Sequence, residues 1–137
     1  MTALSLESAQ QILDAALSKA KEIGSPSSVA VLDSGRELIA FARMDDALLA
    51  SAAIAQAKAY TARSLNSATK DVRDLVQPGA PLYGLETAHA AVGRTLVGFA
   101  GGVPLRSGDE VVGAIGVAGG TPDQDHEIAS AGAAALA

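Results

Sequence analysis

Three cations stand where a long side chain can reach a cleft beside a sheet. Arg43 closes one apolar run, Lys58 lies inside an alanine-rich helical stretch, and Arg94 precedes another apolar run. A guanidinium held in place clamps a carboxylate through two parallel hydrogen bonds, and a lysine at a cleft can move a proton. A plainer reading of the same residues pairs Arg43 with Asp45 or Asp46 and lets Lys58 run its stem along an apolar face with its head in water. His89, near Glu86 and Arg94, is suited to act as a general base or a haem axial ligand, or to sit as a hydrogen-bonded or solvated ring. His126 stands beside Asp123, Asp125 and Glu127 in the first turn of a helix, where carboxylates complement the helix dipole and where an acid cluster could hold a divalent cation weakly. The two histidines lack the i, i+4 spacing of a helical zinc motif, and the chain contains no cysteine. Disulfides, thiolate catalysis, zinc ribbons and iron–sulfur ligation are excluded together, and no metal site is expected.

Other chemistries fail on context. Gly113, Gly116 and Gly119 suggest a nucleotide fingerprint, but they begin inside an apolar strand rather than in a strand-to-helix turn, and their spacing is not G-x-G-x-x-G. Strand glycines at these positions predict close backbone packing instead. There is no Walker lysine and no G-x-S-x-G elbow. The formal charge of −5 gives no overall positive field to collect phosphates, so nucleic acid is not an expected partner. The longest apolar stretch, Val111–Gly120, is well short of the roughly 20 residues that span a bilayer. The first residues, Met1-Thr2-Ala3-Leu4-Ser5, lack a basic region followed by an apolar core, and a cytoplasmic location is expected.

The elements that must position these side chains follow from periodicity and turn chemistry. Ser5 to Ile23 reads as an amphipathic helix with Ser5 as N-cap, stopped by Gly24 and Pro26. Val29–Asp33 and Glu37–Arg43 form a hairpin about Asp33-Ser34-Gly35-Arg36, whose glycine can supply the positive φ of a tight turn. Ala47–Leu65 is a second helix, capped by Asp45 or Asp46, and Ser67–Gln77 a short third one ended by Pro78-Gly79. Beyond the loop Pro81-Leu82-Tyr83-Gly84 and a helical turn near Glu86, strands are expected at Thr95–Ala100, Val103–Arg106 and Val111–Val117. Thr121-Pro122-Asp123-Gln124 carries a capping box with proline at the first helical position and opens a last helix, Pro122–Leu136. Strands joined by turns imply an α+β fold, an antiparallel sheet of about five strands flanked by helices, in one domain over residues 1–137. Only four of the 137 residues are aromatic and 49% are hydrophobic, so a core of small side chains leaves apolar surface for a homo-oligomer to bury.

Five segments in order carry a resemblance: Arg43-Met44-Asp45-Asp46-Ala47, Lys58-Ala59-Tyr60-Thr61-Ala62, Pro81-Leu82-Tyr83-Gly84, Gly101-Gly102-Val103-Pro104-Leu105 and Gly113-Ala114-Ile115-Gly116-Val117, followed by Gly119-Gly120 and Gln124-Asp125. Together they resemble the GlcG/HbpS family of haem-binding-like proteins, which includes the C-terminal domain of PduO-type proteins. The resemblance implies a profilin-like sandwich and a homo-oligomer, commonly an octamer. It implies a cytoplasmic small-molecule binding protein whose ligand is haem or another tetrapyrrole, with Arg43, Asp45, Tyr83, His89 and Arg94 as ligand-binding residues. The alternative is a deaminase- or hydrolase-like enzyme acting on a small carboxylated catabolite, such as an aromatic ring-cleavage product, with Lys58, Glu86 or His89 moving protons. Two departures bear on the site. Asp46 stands where many relatives have glycine, and the N-terminal helix carries no histidine, so His89 would have to supply an iron ligand.

Overall fold

The computed structural model describes residues 3–136. Helix α1 (Leu6–Ile23) starts where Ser5 Oγ accepts the Ser8 N–H and ends at Gly24, whose left-handed φ of 72° lets its N–H reach back to the last turn. It buries Ala9, Ile12, Leu13, Ala16 and Ala20, the three-and-four spacing of one face. Strands β1 (Ser28–Asp33) and β2 (Leu38–Arg43) form the expected hairpin. Its turn departs from expectation: the positive φ of 68° belongs to Arg36, not to Gly35. Asp33 Oδ1 accepts the N–H groups of Gly35 and Glu37 at 2.8 and 3.0 Å, and this side-chain turn fixes the backbone without using the glycine's freedom.

Helix α2 (Ser51–Leu65) begins four residues later than predicted and carries no side-chain cap. Asp45 and Asp46 do not cap it, because they form a separate turn in which Ala47 N–H bonds Met44 C=O and Asp46 takes a φ of 68°. The predicted helix Ser67–Gln77 is instead two 3-10 turns, Thr69–Asp71 and Arg73–Val76, with Thr69 Oγ1 accepting the Gly102 N–H at 2.8 Å. Two more 3-10 turns follow, Leu85–Thr87 and Ala90–Val92. Strands β3 (Gly102–Ser107) and β4 (Glu110–Ala118) and helix α3 (Pro122–Ala133) complete the chain, α3 ending three residues short of prediction.

The sheet has four strands in the order β2-β1-β4-β3, all antiparallel. The expected fifth strand, Thr95–Ala100, is irregular, bends at Phe99 and Ala100, and joins no ladder. Its Val97 N–H goes to Thr61 Oγ1 on α2 at 2.8 Å, and its Leu96 N–H goes to Glu86 C=O. The apolar run that reads as a strand is therefore pinned along a helix. Helix α2 covers one face of the sheet over Ala30, Leu32 and Ala114; α1 and α3 cover the other over Val29, Val31, Ile115 and Val117. Both faces of β1 and β4 are buried, which explains their near-continuous apolar sequences.

At the start of α3, Thr121 Oγ1 accepts the Gln124 N–H while Gln124 Oε1 accepts the Thr121 N–H, the capping box predicted from sequence. Thr121→Ala is expected to cost about 1 kcal/mol, read as a lowered urea midpoint with an unchanged m value.

Candidate functional site

Helix α2 carries two polar clusters. The first is built on Tyr60, whose ring is 5% exposed. Its Oη lies 2.8 Å from His89 Nδ1 and accepts from Arg36 Nη1 at 3.1 Å. The Arg36 and Arg94 guanidinium carbons stand 4.8 and 4.7 Å from the ring centroid, and the His89 ring meets it edge-on. Cations within about 6 Å of an aromatic face are attracted by its quadrupole, so Tyr60 holds two positive groups together. Arg36 reaches this corner from its left-handed turn position and also donates to Ser64 Oγ at 3.2 Å. Among the described residues neither Arg36 nor Arg94 has a carboxylate within ion-pair distance. An open cleft of about 250 Å³ adjoins them, lined by Ala53, Gln56, Ala57, Tyr60, Gly93 and Arg94.

The second cluster is Lys58 and Asp125, both almost wholly buried. Lys58 Nζ donates to Asp125 Oδ2 and to Val117 C=O, each at 2.9 Å, and lies 4.9 Å from the centre of the Phe99 ring. Asp125 Oδ1 accepts the Gly120 N–H at 2.9 Å. The pair passes the end of β4 and joins α2 on one face of the sheet to α3 on the other. Loss of hydration pushes the Lys58 ammonium below its ordinary value, opposed by the hydrogen bond and charge of Asp125. The lysine head is thus not in water, contrary to the plainer reading of the sequence.

The sequence candidates separate in space. His89 and Arg94 meet at Tyr60, while Lys58 binds Asp125. Arg43 is exposed at the end of β2 opposite Ser28, the far end of the hairpin from Arg36, so it does not converge with Arg94 in one chain. Among the described residues it forms no ion pair with Asp45 or Asp46. Asp45 is exposed, Tyr83 is 68% exposed on its loop, and Glu86 is half-buried with its carbonyl accepting from Leu96. The acid cluster expected around His126 is not formed, because Asp125 turns inward to Lys58; among the described residues no group of three or more His, Asp or Glu side chains is placed to hold a metal. Burial, seconded by the charge of Lys70, lowers the His126 pKa, and its Nδ1 has no hydrogen-bond partner among the described residues.

Sequence reasoning missed Tyr60 and Arg36 as site residues. The available signal was a tyrosine among alanines on a buried helix face, since a buried phenol hydroxyl needs a partner.

Comparison with known proteins matches residues 4–134 to the family described as haem degrading protein HbpS-like. The chain is 40% identical, over 126 residues, to a 15.0 kDa protein of the dhaT–dhaS intergenic region of Citrobacter freundii, covering 92% of this chain and 87% of that protein. It is 38% identical over 135 residues to the corrinoid adenosyltransferase PduO of Salmonella typhimurium, covering 98% of this chain but 39% of that longer protein. The crystal structure of a PduOC:haem complex superposes with a TM-score of 0.90 at 36% identity, covering 98% of this chain and 96% of that one. With this sheet order, these helix layers and a match across almost its whole length, the chain belongs to the HbpS-like family.

Proposed function

We propose that this protein binds haem, or a tetrapyrrole of the same size, at the Tyr60–Arg94 cleft, with His89 held beside it by Tyr60, as a cytoplasmic homo-oligomer. The observation that carries the reading is the similarity, over 98% of the chain, to a PduOC structure that contains haem. The residues present fit the group. In the tautomer that carries its proton on Nδ1, His89 donates to Tyr60 Oη, which also accepts from Arg36 Nη1, and His89 Nε2 would then be a ligand for iron. Among the described residues Nε2 has no hydrogen-bond partner, and the Arg94 guanidinium is free to pair with a propionate. Bound haem would supply iron chemistry; His89 would supply a nitrogen ligand, Arg94 the charge complement, and Ala53 and Ala57 apolar walls. The cleft of about 250 Å³ falls below the roughly 300–1,000 Å³ of sites that enclose a ligand of drug size. A second subunit against the exposed Val92 and Leu49, 71% and 88% accessible, would complete it.

A second reading keeps the same corner. Two guanidiniums without carboxylate partners suit a small carboxylated catabolite, with His89 and Tyr60 placed to move a proton.

Haemin titration followed by visible absorption, with light scattering on the same sample, tests the first reading. A shifted Soret band saturating at a fixed ratio per subunit is expected, lost in His89→Ala and weakened in Arg94→Met. No saturable shift in the wild-type oligomer overturns haem and leaves the carboxylate reading; a shift unchanged in His89→Ala overturns His89 as the ligand.

A further inference from the structure

The Lys58–Asp125 pair does more than join two layers: with side chains 1% and 3% exposed, it lies at the inner end of a narrow recess. Lys58, Asp125 and Ser51 form the polar side of a recess of about 120 Å³ whose apolar walls include Leu48, Ile54 and Phe99. This recess shares no lining residue with the cleft at Tyr60. We infer that it is a covalent capture site for small neutral aldehydes, in which Lys58 supplies the amine and Asp125 carries the proton.

The hydrogen bonds define which form of the amine the site suits. A neutral lysine amine has two N–H bonds and one lone pair. Val117 C=O and Asp125 Oδ2 accept the two N–H bonds, and among the described residues Nζ has no third oxygen or nitrogen partner. The lone pair is left without a hydrogen-bonding partner, and the Phe99 ring centre stands 4.9 Å from Nζ. Burial favours that neutral form by pushing the ammonium below the ordinary lysine range, and desolvation of a lysine in apolar surroundings is a known route to a nucleophile.

The Asp125 carboxylate is held by the Gly120 N–H, so it stays beside Nζ while bonds change. Attack forms the N–C bond as the carbonyl π bond breaks, and one of the two N–H protons passes through Asp125 to the oxygen, giving a neutral carbinolamine. Asp125 then takes the second N–H proton and delivers it to the hydroxyl, which leaves as water as the C=N bond forms. The products are the Lys58 imine and one water, with no oxidant or reductant consumed. The ligand class follows from the walls. The recess is about the share of four liquid waters, which admits a few heavy atoms, and a carboxylate at its polar end repels anions.

The test is reductive trapping of the intact protein near neutral pH with acetaldehyde and sodium cyanoborohydride, read by peptide mass spectrometry. The chain has four lysines, Lys19, Lys21, Lys58 and Lys70, so each surface residue is an internal control. Lys58 is expected to be alkylated faster than the other three, because burial depresses its ammonium and raises its share of free amine. In urea the four rates should converge, and a naphthaldehyde probe, too large for the recess, should label the three surface lysines alone. A native Lys58 rate equal to or below that of the surface lysines overturns the proposal. Because the comparison is made within the wild-type chain, it does not depend on any variant folding, and it is independent of the outcome with haemin.

Discussion

Asp125→Ala is expected to lower the unfolding free energy by about 3–5 kcal/mol, the range for leaving one partner of a buried ion pair uncompensated. The side chains of Lys58 and Asp125 are 1% and 3% exposed, so below the folded Lys58 value the stranded ammonium would have almost no water to recover. Lys58→Met is expected to cost less, since a methionine fills similar space and the Asp125 carboxylate keeps the Gly120 N–H. In the double variant Lys58→Met/Asp125→Leu most of the Asp125→Ala loss should be recovered, because two well-packed apolar groups frequently match a buried pair in stability. Urea denaturation of Asp125→Leu beside the wild type, Lys58→Met and the double variant closes the cycle; additive losses would show that the two residues do not act as a unit. The pH dependence has a definite sign. Burial sets the folded Lys58 value below the unfolded 10.5, so between the two the unfolded chain holds a proton that the folded chain has released. Stability from this group is lowest below the folded value and rises with pH across that window, so the deficit of Asp125→Ala should shrink as the buffer becomes alkaline.

The parts of this fold that were legible in the sequence are those set by neighbours along the chain. Ser5 and Gly24 bound α1, the Thr121–Gln124 box opens α3, and the hairpin forms about residues 33–36, although Asp33 and not Gly35 closes it. What was hidden depends on partners far away in sequence. Thr95–Ala100 has the composition of a strand, and only the hydroxyl of Thr61 on α2 reveals that its N–H groups point elsewhere. Asp125 sits in the first turn of a helix, where a carboxylate is fully explained by the dipole, so nothing local identifies it as the partner of Lys58, 67 residues earlier. The Tyr60 corner draws on residues 36, 60, 89 and 94, of which His89 and Arg94 were visible as chemistry and the other two were absorbed into a turn and a helix stripe. Arg43 was a reasonable clamp by type, but the length of a six-residue hairpin separates it from the corner it would have to serve.

Gly116→Ala is expected to be at least as damaging as Asp125→Ala. Gly116 lies in the middle of β4, paired with Ala30 on one side and Gly102 on the other, and points at α2. A Cβ there would overlap Ala55 C=O and stand 2.5 Å from Ala59 N. These are backbone atoms of a helix, which cannot rotate away as a side chain would, so the methyl group must push α2 off the sheet. Overpacking of a rigid core costs about 1–3 kcal/mol and more where the backbone must move, which places this substitution at or above the upper end. Gly108→Ala is the control: its Cβ would meet nothing within 4 Å, and only the left-handed φ of 62° opposes it, a cost of about 1 kcal/mol. The difference matters for chemistry as well as stability, because α2 carries both Lys58 and Tyr60. A helix lifted by even a fraction of an ångström lengthens the 2.9 Å bond from Lys58 to Val117 and the 2.8 Å contact between Tyr60 and His89 together. A fold-competent fraction of Gly116→Ala should therefore show faster amide exchange in β4 and loss of both haemin saturation and Lys58 selectivity. Full retention of both in a protein of wild-type stability would show that α2 does not set the two sites through its contact with β4.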